Sequence, residues 1–139
     1  MMRKTLGLLF LSISLILTLI ACTESDEVKY EAKASDFEGE GFERNSQRIV
    51  VIDDELVIYA AYNNPESKNK TSIDKLLESD DAVPGEFYEK RYKNVEIKTQ
   101  QDMYFITADG LSLTFKKTGE RTVTDEEGME YYTGKYPEE

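Results

Sequence analysis

Residues 103–116 read MYFITADGLSLTFK, two apolar-rich runs on either side of Asp109-Gly110. In the second run Leu111, Leu113 and Phe115 alternate with Ser112, Thr114 and Lys116, the period of a strand with one dry and one wet face. An Asp-Gly pair between two such runs predicts a two-residue hairpin with a type I′ turn, in which both central residues take positive φ. The stretch therefore sets the fold class as antiparallel β, and the rest of the chain can be read for more of the same.

Upstream, 48–52 (RIVVI) and 56–62 (LVIYAAY) flank Asp53-Asp54-Glu55, another tight hairpin. The second of these runs is apolar on both faces and should have strand neighbours on both sides. Val95-Glu96-Ile97-Lys98 alternates within 88–99. Two short runs, 120–124 and 129–135, follow Gly119 and Gly128, and 37–43 (FEGEGFE) is a strand loosened by Gly39 and Gly41. One helix stands out: Thr71 and Asp74 form a capping-box pattern, and Ile73, Leu76 and Leu77 share one face. The expectation is a mainly β fold, an antiparallel meander of seven or eight short strands forming a small barrel or sandwich with one short helix after the third strand. A lipocalin-like barrel would carry a Trp that this chain lacks, and a cystatin-like sheet would begin with its helix.

Composition narrows the chemistry. The 139 residues carry 17 Lys plus Arg against 28 Asp plus Glu, net −11, with no His, no Trp and one Cys. That excludes histidine triads, Cys/His zinc cages and intrachain disulfides. The acidity argues against nucleic acid, whose phosphates need Lys and Arg stripes.

Arg3 and Lys4 precede an uncharged stretch at 6–21 that ends Leu19-Ile20-Ala21-Cys22. The stretch is short of the about 20 residues a spanning helix needs and has the form of a secretory signal. The last four residues resemble the lipobox of bacterial lipoproteins. The resemblance covers residues 1–22 only. It implies cleavage between Ala21 and Cys22, a diacylglyceryl thioether on Cys22 with a further N-acyl (palmitate-type) chain, and attachment to the bilayer at the extracytoplasmic face of the cell membrane. Two acyl chains suffice for stable anchoring where one does not. Richness in Lys, Glu, Asn and Tyr points to a Gram-positive source.

Three parts follow: a signal at 1–21, the lipidated Cys22 with a polar tether to residue 35, and a single β-rich domain over 36–139. A spacer over 23–35 would reach about 20 Å. Losing two of the 17 basic residues with the signal while keeping all 28 acidic ones leaves −13 on the mature part. That charge is wrong for adhesion to anionic headgroups and right for a basic protein or peptide partner.

No cofactor or metal is expected beyond the lipid. The carboxylate clusters Asp53-Asp54-Glu55, Asp80-Asp81 and Asp125-Glu126-Glu127 read as solvated turns, although they are the only material for a small envelope hydrolase. None has the spacing of a calcium loop. The candidate contact residues are Tyr88, Tyr92, Tyr131 and Tyr132, because Tyr offers a large rigid area with a polar tip. The expected function is a non-enzymatic binding or shielding lipoprotein of the immunity or inhibitor type. A carboxylate hydrolase and a purely structural envelope lipoprotein are the alternatives.

Overall fold

The structure, a computed structural model, describes residues 29–62 and 68–135; the expected signal over 1–21, with Ala21, and the expected lipidation site Cys22 lie outside the described residues. Among the described residues there are nine strands: β1 (Phe42–Arg44), β2 (Gln47–Ile52), β3 (Glu55–Ala61), β4 (Phe87–Tyr92), β5 (Glu96–Gln100), β6 (Met103–Ala108), β7 (Leu111–Gly119), β8 (Thr122–Asp125) and β9 (Glu130–Tyr132). One α-helix, α1 (Ser72–Ser79), sits between β3 and β4, and a 3-10 turn (Ala34–Phe37) precedes β1. The strands form one sheet in the order β4-β3-β2-β1-β9-β8-β7-β6-β5, curled into a half-barrel. The fold is mainly β with a single short helix, as the alternation predicts.

The extra strand comes from 88–99, where one expected run is two. Sheet neighbours alternate in direction, so β4 and β5, first and last in the order, run in the same sense. Only residues 93–95 separate them. They are halves of one bent strand, the first paired with β3 and the second with β6. The bend lies at Asn94, φ 58°. The Asp109 N–H donates to the Lys93 carbonyl at 2.9 Å, and Asn94 Nδ2 donates to the Asp109 carboxylate. The two ends of the half-barrel are thus joined by a covalent bend and not by a ladder.

Asp109 is not in a type I′ turn: of the two central residues only Gly110 has positive φ, 72°. The type I′ signature occurs instead at Asp53 and Asp54, with φ of 50° and 62°, between β2 and β3. Asp tolerates the left-handed region better than most side chains, so a pair without glycine turns this hairpin.

The expected strand at 37–43 is also different. Phe37 ends the 3-10 turn and is fully buried, and only Phe42 onward pairs. Phe37 seats at the centre of an aromatic cluster, with ring centroids 4.8 Å from Phe42, 5.1 Å from Tyr104 and 5.5 Å from Phe115. Burial of a residue this size outweighs a weak strand preference in a Gly-interrupted run. The packed chain begins upstream of Asp36. Ala32 is buried and its N–H donates to the Gln101 carbonyl at 2.8 Å. Asp36 accepts from Tyr104 O–H and from Lys117 Nζ. Residues 32–36 thus reach Gln101, β6 and β7.

The core lies on the inner face: Ile49, Leu56, Ile58, Ala60, Tyr104, Ile106, Phe115, Val123 and Tyr131 from the strands, with Ile73 and Leu77 from α1. β3 is buried on both faces at Leu56, Val57 and Ile58, as expected for a strand between two others.

Tyr104 and Tyr131 are both wholly buried, each donating to an Asp carboxylate. Burial first, and the adjacent Asp second, push both phenols well above the ordinary tyrosine range. The unfolded phenol titrates near 10. The stabilisation is therefore fully present below about pH 10 and is lost as pH rises beyond it, by about 1.4 kcal/mol per pH unit for each phenol. Urea unfolding between pH 9 and 11 should show this fall, and Tyr104→Phe should flatten it by about one proton. An unchanged slope in Tyr104→Phe would contradict the assignment.

Candidate functional site

Carboxylates are the only plentiful catalytic material, and the fold disperses them. Asp53 and Asp54 occupy an exposed hairpin turn. Asp80, at the end of α1, pairs with Lys90 Nζ at 2.6 Å. Asp125 is not solvated, contrary to expectation; it is 6 % exposed. Its Oδ2 accepts from Ser72 N–H and Tyr131 O–H, both at 2.8 Å, and its Oδ1 accepts from Glu127 and Met129 N–H, both at 3.0 Å. The carboxylate ties the start of α1 to the β8–β9 turn, where a negative charge also suits the helix N-terminus.

A second buried carboxylate, Asp74, completes the capping box foreseen in the sequence. It accepts from the Thr71 N–H, while Thr71 Oγ1 accepts from the Asp74 N–H. Gln47 closes the network, donating to Asp74 Oδ1 at 2.7 Å and accepting from Thr71 O–H at 2.7 Å. Every oxygen here is already engaged, so the network's work is to fasten α1 to β2 and β8. Among the described residues no group of three or more His, Cys, Asp or Glu is placed to hold a metal ion.

The four tyrosines do not share a surface. Tyr131 is a core residue, its ring edge-on to Phe115 at 5.5 Å, and cannot meet a partner. Tyr88 and Tyr92 alternate with Phe87, Glu89 and Arg91 along β4 and point inward, half-buried against the core. Tyr88 O–H accepts from the Val83 N–H at 2.6 Å, while the Tyr92 hydroxyl is buried without a partner and its pKa is raised by that burial. Tyr132 alone is open, 51 % exposed on the outer face of β9.

That outer face carries the site the sequence did not single out. Register places Glu89, Tyr59, Arg48, Glu43 and Tyr132 in one row across β4, β3, β2, β1 and β9. Phe87, 65 % exposed, stands two residues from Glu89 at one end. Two cavities lie along the row and share Glu43 and Arg48. One, of about 280 Å³, is lined by Asn45, Ser46, Tyr59 and Phe87. The other, of about 290 Å³, is lined by Glu40, Gly41, Tyr132 and Gly134. Together they make a shallow groove with an aromatic residue at each end.

The chain matches no family model, no curated protein and no solved structure. The functional reading therefore rests on the chemistry of this groove.

Arg48 Nε donates to the Glu40 carbonyl at 2.7 Å, which fixes the arginine in the floor. The carboxylates of Glu40 and Glu43 form no hydrogen bond or ion pair with a described residue. Gly134 lies against the Glu40 carboxylate so closely that a Cβ there would overlap it. Tyr132 O–H donates to Glu130 Oε2 at 2.8 Å, and that bond raises its pKa and holds the ring across the groove's end. Arg91 is held by Glu89 and Glu55 and is spent within its own strand pair. The groove thus offers two unneutralised carboxylates between aromatic walls. Strand parity was the missing signal: in Phe87-Tyr88-Glu89-Lys90-Arg91-Tyr92 both parities carry aromatic residues, and only the pairing with β3 decides which face in.

Proposed function

We propose that this protein is a lipid-anchored envelope lipoprotein that acts by binding a basic polypeptide, without turning over a substrate. The observation that carries the reading is the outer-face groove, where Phe87, Tyr59 and Tyr132 are presented beside the unpaired carboxylates of Glu40 and Glu43. Exposed aromatic residues supply contact area at low entropic cost, and an acidic surface steers a cationic partner. The two buried carboxylates, Asp125 and Asp74, are committed to holding α1. The anchor rests on the lipobox-like residues Leu19-Ile20-Ala21-Cys22.

Two measurements test the reading. Changing Cys22→Ser should leave unprocessed precursor or release the protein into the medium; normal cleavage with unaltered membrane retention would refute the anchor. Association kinetics of the full mature chain with envelope-active cationic proteins should show an on-rate that falls with salt, while Tyr132→Ala raises the off-rate about tenfold. Turnover of a wall polymer lost in Asp53→Asn or Asp54→Asn would favour the hydrolase instead.

A further inference from the structure

Building on the binding reading above, we infer that the groove takes an extended basic peptide laid across the strands, with apolar anchors six residues apart and a Lys or Arg two residues before the anchor that meets Tyr132. The spacing follows from the sheet. Phe87 is on β4 and Tyr132 on β9, four strand steps apart in the order β4-β3-β2-β1-β9. At about 4.8 Å per step they stand about 19 Å apart across the strands, and the two-residue offset of Phe87 along β4 brings the separation to about 20 Å. An extended chain rises about 3.3 Å per residue, so about six residues span that distance. Six is an even number, and in an extended peptide residues i, i+2, i+4 and i+6 project to the same side. Both anchors and both intervening contact residues therefore face the groove.

Charge sets which intervening residue is basic. The half of the groove next to Phe87 and Tyr59 has Asn45 and Ser46 at its wall and Arg48 in its floor. Arg48 and Glu43 line both halves, so in this half the guanidinium offsets the one carboxylate. The half next to Tyr132 holds Glu40 as well as the shared Glu43. Glu43 is directly opposite Tyr132 in the ladder, one strand step from the anchor, which corresponds to position i+4 of a peptide anchored at i+6. A Lys or Arg at i+4 meets two carboxylates that pair with no described residue, against the single guanidinium of Arg48, and a small polar residue at i+2 fits the Asn45 and Ser46 side. The net charge of −11 favours such a ligand over an acidic one at long range.

Synthetic fluorescein-labelled peptides provide the test. Two Phe residues are separated by three, five or seven residues of otherwise Ser and Asn, with a single Lys placed two positions before either Phe. Binding to the mature chain is followed by anisotropy at low and moderate salt. The five-residue spacer, placing the Phe residues at i and i+6, should bind at least fivefold tighter than the other two spacers. Lys near the C-terminal Phe and Lys near the N-terminal Phe should differ by a similar factor.

Glu43→Gln should reduce the Lys preference, with Glu40 carrying the remainder, and leave the spacing preference. Phe87→Ala should weaken the i/i+6 peptide most and remove the spacing preference, while the Lys preference near Tyr132 persists. Circular dichroism of both variants checks that the fold is retained, as expected for exposed positions. Affinity independent of spacing, or a Lys preference untouched in Glu43→Gln, would overturn the inference. If cationic envelope proteins bind yet remain unaffected by Glu43→Gln and Phe87→Ala, the groove is wrong while the binding function stands. If neither peptides nor cationic proteins bind, both fail. Tight binding of uncharged wall glycan fragments by the same residues would assign the groove to sugar and overturn the peptide reading.

Discussion

Gly41→Ala should cost about 3 kcal/mol or more, the largest effect expected at any described glycine. Gly41 has φ 65°, a region that an alanine adopts only with strain. Its backbone also lies directly on β2. A Cβ at this position would overlap the Ile49 carbonyl oxygen and stand 2.6 Å from Val50 Cβ and 2.8 Å from Val50 Cα. Val50 and Ile49 are fully buried, and backbone cannot swing aside as a flexible side chain could. The strand must shift, and with it the pairing of Phe42 with Ile49 that starts β1.

Gly110→Ala is the internal control: φ is 72° there but nothing lies within 4 Å of the added Cβ, so only the backbone preference is lost, about 1 kcal/mol. Urea midpoints compare the two. A midpoint shift for Gly41→Ala no larger than that for Gly110→Ala would show that β1 does not pack as described. Because Gly41 also lines the Tyr132 half of the groove, the same variant should weaken ligand binding in its folded fraction.

The contrast explains what was legible beforehand. Alternation in 103–108 and 111–116 reads directly as β6 and β7, because one face is wet and the period is undisturbed. The capping box at Thr71 and Asp74 reads equally well, since its signal lies within four residues. Gly39 and Gly41 were visible only as weakening a strand. Gly41 matters through the Ile49 and Val50 backbone it meets on β2, which the local pattern does not show, while Gly39 has open space around it. The turn at Asp53-Asp54 was visible as a turn, yet its type was assigned to Asp109-Gly110 instead. Steric preference ranks Gly above Asp at positive φ, but the twist of the β2–β3 pair demands that conformation at both positions, and Asp accepts it.

The site was less legible than the fold. Tyr content drew attention to 88, 92, 131 and 132, and only Tyr132 proved to be open. Local pattern could not separate Tyr131 from Tyr132, which are adjacent and chemically identical. What separates them is the register of β9 on β8, where Tyr131 pairs with buried Val123 and Tyr132 with Thr122. Arg48, Glu43 and Tyr59 looked like the ordinary wet face of a hairpin. They gather into a groove only because β9 returns to pair with β1, a contact between residues far apart in the chain.

Asp125→Ala should cost about 3–5 kcal/mol, because it strands four donors in a buried place. The Ser72, Glu127 and Met129 N–H groups and the Tyr131 O–H all converge on this carboxylate. Asp125→Asn keeps one acceptor oxygen but turns an NH₂ toward donors, so it should recover only part of the loss. Asp53→Asn and Asp54→Asn sit at exposed, positive-φ turn positions where Asn is equally at home, and each should stay within about 0.5 kcal/mol of the parent. Urea unfolding of the four variants separates two kinds of carboxylate that look alike in sequence. A carboxylate kept for chemistry gives the opposite pattern, a substitution that leaves stability alone and removes activity. If Asp125→Ala unfolds within about 1 kcal/mol of the parent, the carboxylate is not the tie between α1 and the β8–β9 turn. It would then be free for catalysis, and the hydrolase reading would regain its best candidate. A loss of the expected size leaves Asp125 as part of the framework that holds β9, and with it Tyr132, at the end of the groove.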